Sequence, residues 1–451
     1  MKIRHLLLAA ISIHFTASAC VYLAGAFAVF PDYFDPHGFM MADSSAYRTE
    51  LVSLVSAFND TGMLGWLSAP VPIHIKIYSL SFIPCSPLMG SNILAVELIN
   101  LLYYLITLSL IFNIGKNVSD RRAGLLAAVI VALWPSFLLH STQVLRDPLF
   151  IVAVLTLALV GSKWLTAACT GRVGIVTGFI GGSAVSVIWL IRSDMWELII
   201  AVMALAFLLL LARQLKERKI LTGNTVGAVI LVTFILLVPR SVPSSSYLSA
   251  LYSRRSAGGE KNRVFAEGRS PDLDGRLRAS SSDGRLRASS SERLLHVPAR
   301  ISLLRQRFIK MYSGAGSNIH TDIILKTNGD LLRYIPRAAA IGFLAPSPDM
   351  WVTVGNHVGR AGRLLVGGET LVLYLFNLLA LAGLCYRREQ LSVWWLWLSA
   401  AIGFTALGLV VVNIGALFRM RYVFCMLLVI VGSEGLLRTL SSIRSRGRRL
   451  T

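Results

Sequence analysis

The sequence predicts an all-α integral membrane protein: a polytopic bundle of about ten transmembrane helices, with amphipathic helices on its external side. Two observations carry this. Of 451 residues, 55% are hydrophobic and 15% are charged, and the mean hydropathy is +0.65, whereas soluble domains average about 25% charged residues. In addition, apolar runs of roughly 20 residues, enough to cross a bilayer, recur from one end of the chain to the other. A string of soluble domains, disorder throughout, a collagen-like fibre and a small disulfide scaffold are thereby excluded.

The runs lie near residues 6–30, 93–114, 123–141, 148–168, 173–191, 195–212, 220–239, 364–385, 392–412 and 421–437. The first imitates a secretory signal, with Lys2 and Arg4 ahead of an apolar stretch and Ala17-Ser18-Ala19 behind it. Apolar residues continue through Val21, Leu23, Phe27 and Phe30, so an uncleaved spanning helix is expected. Basic residues then alternate between loops. Lys116, Arg121, Arg122, Lys163, Arg172, Arg213, Lys216, Arg387, Arg388 and the tail arginines fall on the side of Lys2 and Arg4. That side is cytoplasmic by the positive-inside rule, which puts both termini inside an inner (plasma) membrane. The opposite short loops hold only Arg146, Arg192, Arg419 and Arg421.

The chain divides into an N-terminal transmembrane module, 1–240, with an external loop at 31–92; a long external loop, 241–363; and C-terminal helices with a basic tail, 364–451. Within the long loop the nine residues 274–282 recur at once as 283–291, a Ser- and Arg-rich tandem copy that predicts disorder around 253–292. After it, 301–309 and 323–335 read as amphipathic pieces, and 338–346 as an apolar stretch too short to span. The excess of 44 Lys and Arg over 23 Asp and Glu suits anionic and phosphorylated lipids better than nucleic acid, because it is spread over loops between apolar runs. Four of the five cysteines sit inside those runs, a spacing with no disulfide or zinc pattern.

Ionisable residues at the external helix ends carry the candidate chemistry. Asp43 precedes Tyr47, Leu51, Leu54, Val55 and Phe58, whose helical spacing predicts an amphipathic helix at the membrane surface. It is either the N-cap of that helix or a carboxylate placed to take a proton from a hydroxyl. Asp147, between Arg146 and Pro148, offers the same choice at the fourth run. Together the two carboxylates suit a divalent ion or a division of acid and base roles. Arg419 and Arg421, in the turn between the last two runs, are either headgroup anchors or a grip on phosphate, and Arg192 shares that ambiguity. Glu369 lies near the external start of the eighth run, where the helix dipole also favours an acid. Glu97, Glu434 and His14 are further costly groups in or near spans.

Four places together resemble the GT-C superfamily of integral membrane glycosyltransferases, in particular the family 39-like group of protein O-mannosyltransferases and the aminoarabinose transferase of lipid A. They are Asp43-x-x-x-Tyr47; Trp134-Pro135-Ser136 to Leu145-Arg146-Asp147-Pro148; Ile335-Pro336-Arg337 to Ala345-Pro346-Ser347-Pro348; and Asn413-Ile414-Gly415 to Arg419-Met420-Arg421. The resemblance implies transfer of a sugar from a polyprenyl-phosphate donor to a glycan, lipid or protein acceptor on the external face, with inversion. It implies Asp43 as the base and Asp147 in a supporting or metal-associated role. Tyr47, Arg146, Arg192, Glu369, Arg419 and Arg421 are then the candidate substrate contacts, and a divalent metal ion the one candidate cofactor. The basic tail departs from members that carry an extracellular domain after the last helix. Two other readings share the outline: a polymerase or ligase using polyprenyl-diphosphate glycans, and a lipid-linked glycan carrier without chemistry. A carrier places polar sites at mid-membrane, whereas these candidates gather at one surface.

Overall fold

The computed structural model describes residues 3–40, 43–243, 297–311, 316–352 and 359–447. The tandem copy and the segment expected to be disordered lie outside them. Among the described residues the chain is helical, with extended pairing confined to isolated bridges between Phe34 and Met40 and between Asn318 and Asn413.

The first helix, α1 (Ile3–Ala26), leads to α2 (Asp43–Ser68) and α3 (Ile73–Met89). Leu51 and Leu54 of α2 and Ile75, Tyr78 and Phe82 of α3 bury against Phe39 and Val144. The predicted stripe from Tyr47 onward thus faces a protein core. Helix α3 has no counterpart among the predicted elements, because Pro84 and Pro87 break its pattern on paper; both are accommodated inside it.

Helices α4 (Glu97–Val118), α5 (Arg121–Ala132), α6 (Pro135–Ser141) and α7 (Asp147–Thr166) follow. The single run expected at 123–141 is bent by 69° between α5 and α6. The cause is local: the ring of Pro135 clashes with a helical residue before it, and Trp134 is accordingly extended at φ −74°, ψ 110°.

Among the described residues, eight stretches are long and apolar enough to cross a membrane. One of them, Gly171–Glu217, comprises α8 (Gly171–Arg192) and α9 (Trp196–Glu217), joined by a tight turn at Ser193–Met195. Arg192 bonds Asp147 at the start of α7. Arg213 bonds the carbonyls of Trp164 and Ala167 at its other end, at 2.7 and 3.0 Å. The chain therefore runs up α7 on α8 and back down on α9. With that reversal, and with the bent pair taken as one crossing, the described residues supply the ten crossings that hydropathy predicts. Helix α10 (Thr222–Ser241) lies parallel to α8 on a glycine seam: a Cβ on Gly174 would fall 1.9 Å from the Gly223 carbonyl oxygen, and one on Gly178 2.8 Å from that of Gly227.

The later helices are α11 (Val297–Met311), α12 (Asn328–Leu344), α13 (Gly359–Tyr386), α14 (Leu391–Val410), α15 (Ile414–Met420) and α16 (Tyr422–Gly447). The amphipathic piece at 323–335 and the apolar stretch at 338–346 prove largely to be one helix, α12, started by a capping box between Thr327 and Asp330. Its Gly342 and Ala338 lie against Phe404 and Gly408 of α14 so closely that backbone meets backbone. Helices α4, α7, α14 and α16 form the centre of the bundle, where Trp164, Trp395, Phe404 and Phe424 are fully buried.

Candidate active site

Asp147 opens α7, yet its carboxylate makes no cap. It pairs with two guanidiniums instead: Arg192 at the end of α8, and Arg419 in the short helix α15, whose Nε lies 3.1 Å from Oδ2. Three elements separated in sequence thus converge on one carboxylate, 5% exposed. Removing charges from water is costly unless they are paired, so Asp147 is what allows two arginines to sit at the rim of a membrane bundle.

The surroundings hold these parts in place. Gln143 accepts from the Met40 amide at 2.7 Å and donates to the Gly38 carbonyl at 3.3 Å. Tyr78 of α3 donates to the Leu145 carbonyl at 3.0 Å, and Asn100 of α4 to that of Thr142 at 2.6 Å. The loop carrying Arg146 and Asp147 is therefore fixed from both external loop 31–40 and the bundle. Arg192 packs its guanidinium over the Phe150 ring at 5.3 Å. Asn413 caps α15 through the Ala416 amide at 3.0 Å, which sets the direction of Arg419.

Among the described residues, several donors of the arrangement have no partner. Arg192 leaves Nε and Nη1 buried without a hydrogen-bond partner. Arg146 is half-buried and feels the charges of Asp194 and Asp147, but makes no hydrogen bond or ion pair with them. Beside it stands His74, a residue that the sequence does not single out. It is 7% exposed, with Nε2 unpartnered, and its ring lies edge-on to Tyr47 at 5.1 Å. Burial first, and the neighbouring Arg146 second, push its pKa down to about 3, so it is neutral at ordinary pH. A lone histidine in the stretch Ile73-His74-Ile75 carries no signal in one dimension; only its neighbours give it meaning.

Glu369 and Arg421 belong to a second group. The Glu369 carboxylate accepts from the Ser136 amide at 2.7 Å, the Ser136 hydroxyl at 2.5 Å and the Trp134 indole at 3.0 Å. It pins α13 to the bend between α5 and α6. Arg421, 2% exposed, donates to the carbonyls of Ala345 and Gly342 at the end of α12, with its guanidinium 4.8 Å over Phe418. His140 links the groups: its Nδ1 lies 2.6 Å from the Ser136 carbonyl and 3.2 Å from the Tyr422 hydroxyl, and it feels Arg419 and Asp147.

Asp43 is the first residue of α2; its side chain lies outside the described residues. Among the described residues, the donor set around Asp147 does not fit a divalent ion, because that carboxylate is engaged by two guanidiniums and a third, Arg146, stands near. Among the described residues, no three His, Cys, Asp or Glu side chains come together to hold a metal.

Residues 84–237, from α3 to α10, match the family described as dolichyl-phosphate-mannose-protein mannosyltransferase. No curated protein sequence matches the chain. Among solved structures, it resembles the archaeal oligosaccharyltransferase AglB from Archaeoglobus fulgidus, in complex with an inhibitory peptide and a dolichol-phosphate. The TM-score is 0.48 at 14% identity, and the likeness covers 99% of this chain and 52% of that one. The chain therefore spans about half the length of that relative. The family match takes in Trp134, Arg146, Asp147 and Arg192, and supports a membrane glycosyltransferase of the GT-C superfamily.

Proposed function

We propose that this protein moves a sugar from a polyprenyl-phosphate donor to a glycan, lipid or protein acceptor at the external face of a cell's inner membrane, with both termini cytoplasmic. The observation that carries the reading is Asp147 holding Arg192 and Arg419 together, beside Arg146, at the end of the bundle where α2 begins with Asp43.

The chemistry divides accordingly. Asp43 accepts the proton of the acceptor hydroxyl as that oxygen attacks the anomeric carbon. The bond from that carbon to the phosphate oxygen breaks, and the electron pair leaves with the lipid phosphate. A phosphate needs no proton to depart at neutral pH, but its developing charge needs donors fixed in advance, and the guanidiniums supply them. Displacement in line by the acceptor oxygen inverts the anomeric carbon. Asp147 takes no proton in this scheme: with a guanidinium on each side it orients cations, and no step passes through a metal ion.

The test is a deletion strain complemented with the native chain, Asp43→Asn or Arg419→Ala at matched membrane abundance, with surface glycans and lipid-linked precursors analysed in parallel. The reading expects both variants to behave like the deletion and one polyprenyl-monophosphate sugar to accumulate. Full complementation by both variants overturns it. Accumulation of a polyprenyl-diphosphate glycan redirects the assignment to a polymerase or ligase.

A further inference from the structure

The Asp147 pairs leave one side of the site unexplained, the side facing α2 and α3. Three features meet there. His74 is more than nine-tenths buried and its Nε2 has no partner. Arg146 brings a guanidinium that feels Asp194 and Asp147 but, among the described residues, forms no ion pair. Arg192, whose charge His74 feels, keeps two buried N–H groups unspent. Buried donors normally find partners, since leaving one bare is more unfavourable than never burying it. With His74 in its Nε2–H tautomer, several bare donors around one place describe the shape of something acidic that is held there.

We propose that His74 is a substrate-binding residue, its Nε2–H donating to a phosphate oxygen of the lipid-linked donor while Arg146 and Arg192 grip the remaining oxygens. The inference rests on the reading above and adds a neutral contact from α3 to a site otherwise built from arginines. The residue type suits the place. A third or fourth cation beside Arg146 and Arg192 would raise the repulsion that Asp147 has to offset, whereas a neutral imidazole adds a directed donor at no charge. Its ring is held for that purpose: Tyr47 stands edge-on to it, and its neighbours Ile75 and Tyr78 anchor α3 in the external core. The bond to the Leu145 carbonyl from Tyr78, one turn further along α3, keeps this helix in register with the loop that bears Arg146.

The test uses the full chain in lipid nanodiscs and measures binding of decaprenyl monophosphate, with inorganic phosphate as a competitor that lacks the lipid. His74→Phe keeps the buried ring and removes the donor; His74→Gln restores a neutral N–H. Losing a hydrogen bond to a charged group should weaken binding about tenfold or more in His74→Phe, and His74→Gln should recover most of it. A second readout on the unmutated chain is the 15N resonance of the His74 ring, identified by its loss in His74→Gln and expected to move when decaprenyl monophosphate is added. Undiminished binding by His74→Phe, or a His74 resonance that ignores the ligand, overturns the proposal while leaving the arginine site standing. No binding by the unmutated chain brings down the donor reading itself. Equal displacement by inorganic phosphate places the recognition in the headgroup alone, still through His74 if the Phe variant loses it.

Discussion

Replacing Asp147 by Asn removes a carboxylate shared by the buried Arg192 guanidinium and the partly exposed Arg419 guanidinium. Breaking the buried pair with Arg192 costs roughly 3–5 kcal/mol, mostly as the penalty on that cation left behind. Asp147→Asn is therefore expected to lower thermal stability and to abolish transfer, whereas Asp43→Asn is expected to abolish transfer with the melting temperature nearly unchanged. Thermal unfolding of the purified chains, alongside precursor accumulation, separates the two. His74 gives a pH signature. Its folded pKa of about 3 lies below the ordinary 6.5, so the neutral form stabilises the fold fully above about pH 6.5. That contribution is lost as pH falls from there toward about 3. The melting temperature of His74→Gln should fall less steeply across that window. Glu50 has the opposite sign: burial raises its carboxyl pKa, so its contribution is present at acid pH and lost as pH rises through the raised value. Glu50→Gln is expected to raise the melting temperature near pH 7.5 and to leave it unchanged near pH 4. Arg146, Asp147, Arg192 and Arg419 were all legible in the sequence, because a charge at an external helix end stands out against apolar neighbours. What one dimension hides is the choice of partner. The pairing of Glu369 with Ser136, 233 positions away, depends on how α13 meets the α5–α6 bend, and the meaning of His74 depends wholly on α2 and the Arg146 loop.

At the scale of elements, small residues decide which helices touch. The α8–α10 seam and the α12–α14 contact both bring backbone against backbone, so any added side chain must push two helices apart. Gly174→Val should destabilise the α8–α10 pair by several kcal/mol, of the order seen for overpacked or strained core positions, and lower the melting temperature. Gly408→Val should do the same to α12. It carries a second consequence, since α12 presents the carbonyls that Arg421 binds. The spanning helices were legible because each is a long apolar run. Helix α3 and the extent of α12 were not, since prolines interrupt the first and a polar start disguises the second. The α5–α6 bend was written in Pro135 yet masked by the continuous hydropathy around it.

Across the whole molecule, the charge alternation of the loops and the reversal at Ser193–Met195 assign every candidate site residue to one end. In a cysteine-free background, single cysteines at Ser91 and Asp194 should react with a membrane-impermeant maleimide in intact cells. Cysteines at Ser119 and Lys219 should react only after permeabilisation. Labelling of the first pair only after permeabilisation would invert the topology.

The Asp147 junction also has a history within each molecule. Its three members leave the ribosome in the order Asp147, Arg192, Arg419, and the last lies 272 positions after the first. While the polypeptide is being threaded into the bilayer, the carboxylate gains one guanidinium early and waits for the second until the final hairpin has inserted. The junction is thus incomplete until Arg419 has been made, and a nascent chain that has not reached α15 holds Asp147 with one of its two guanidiniums.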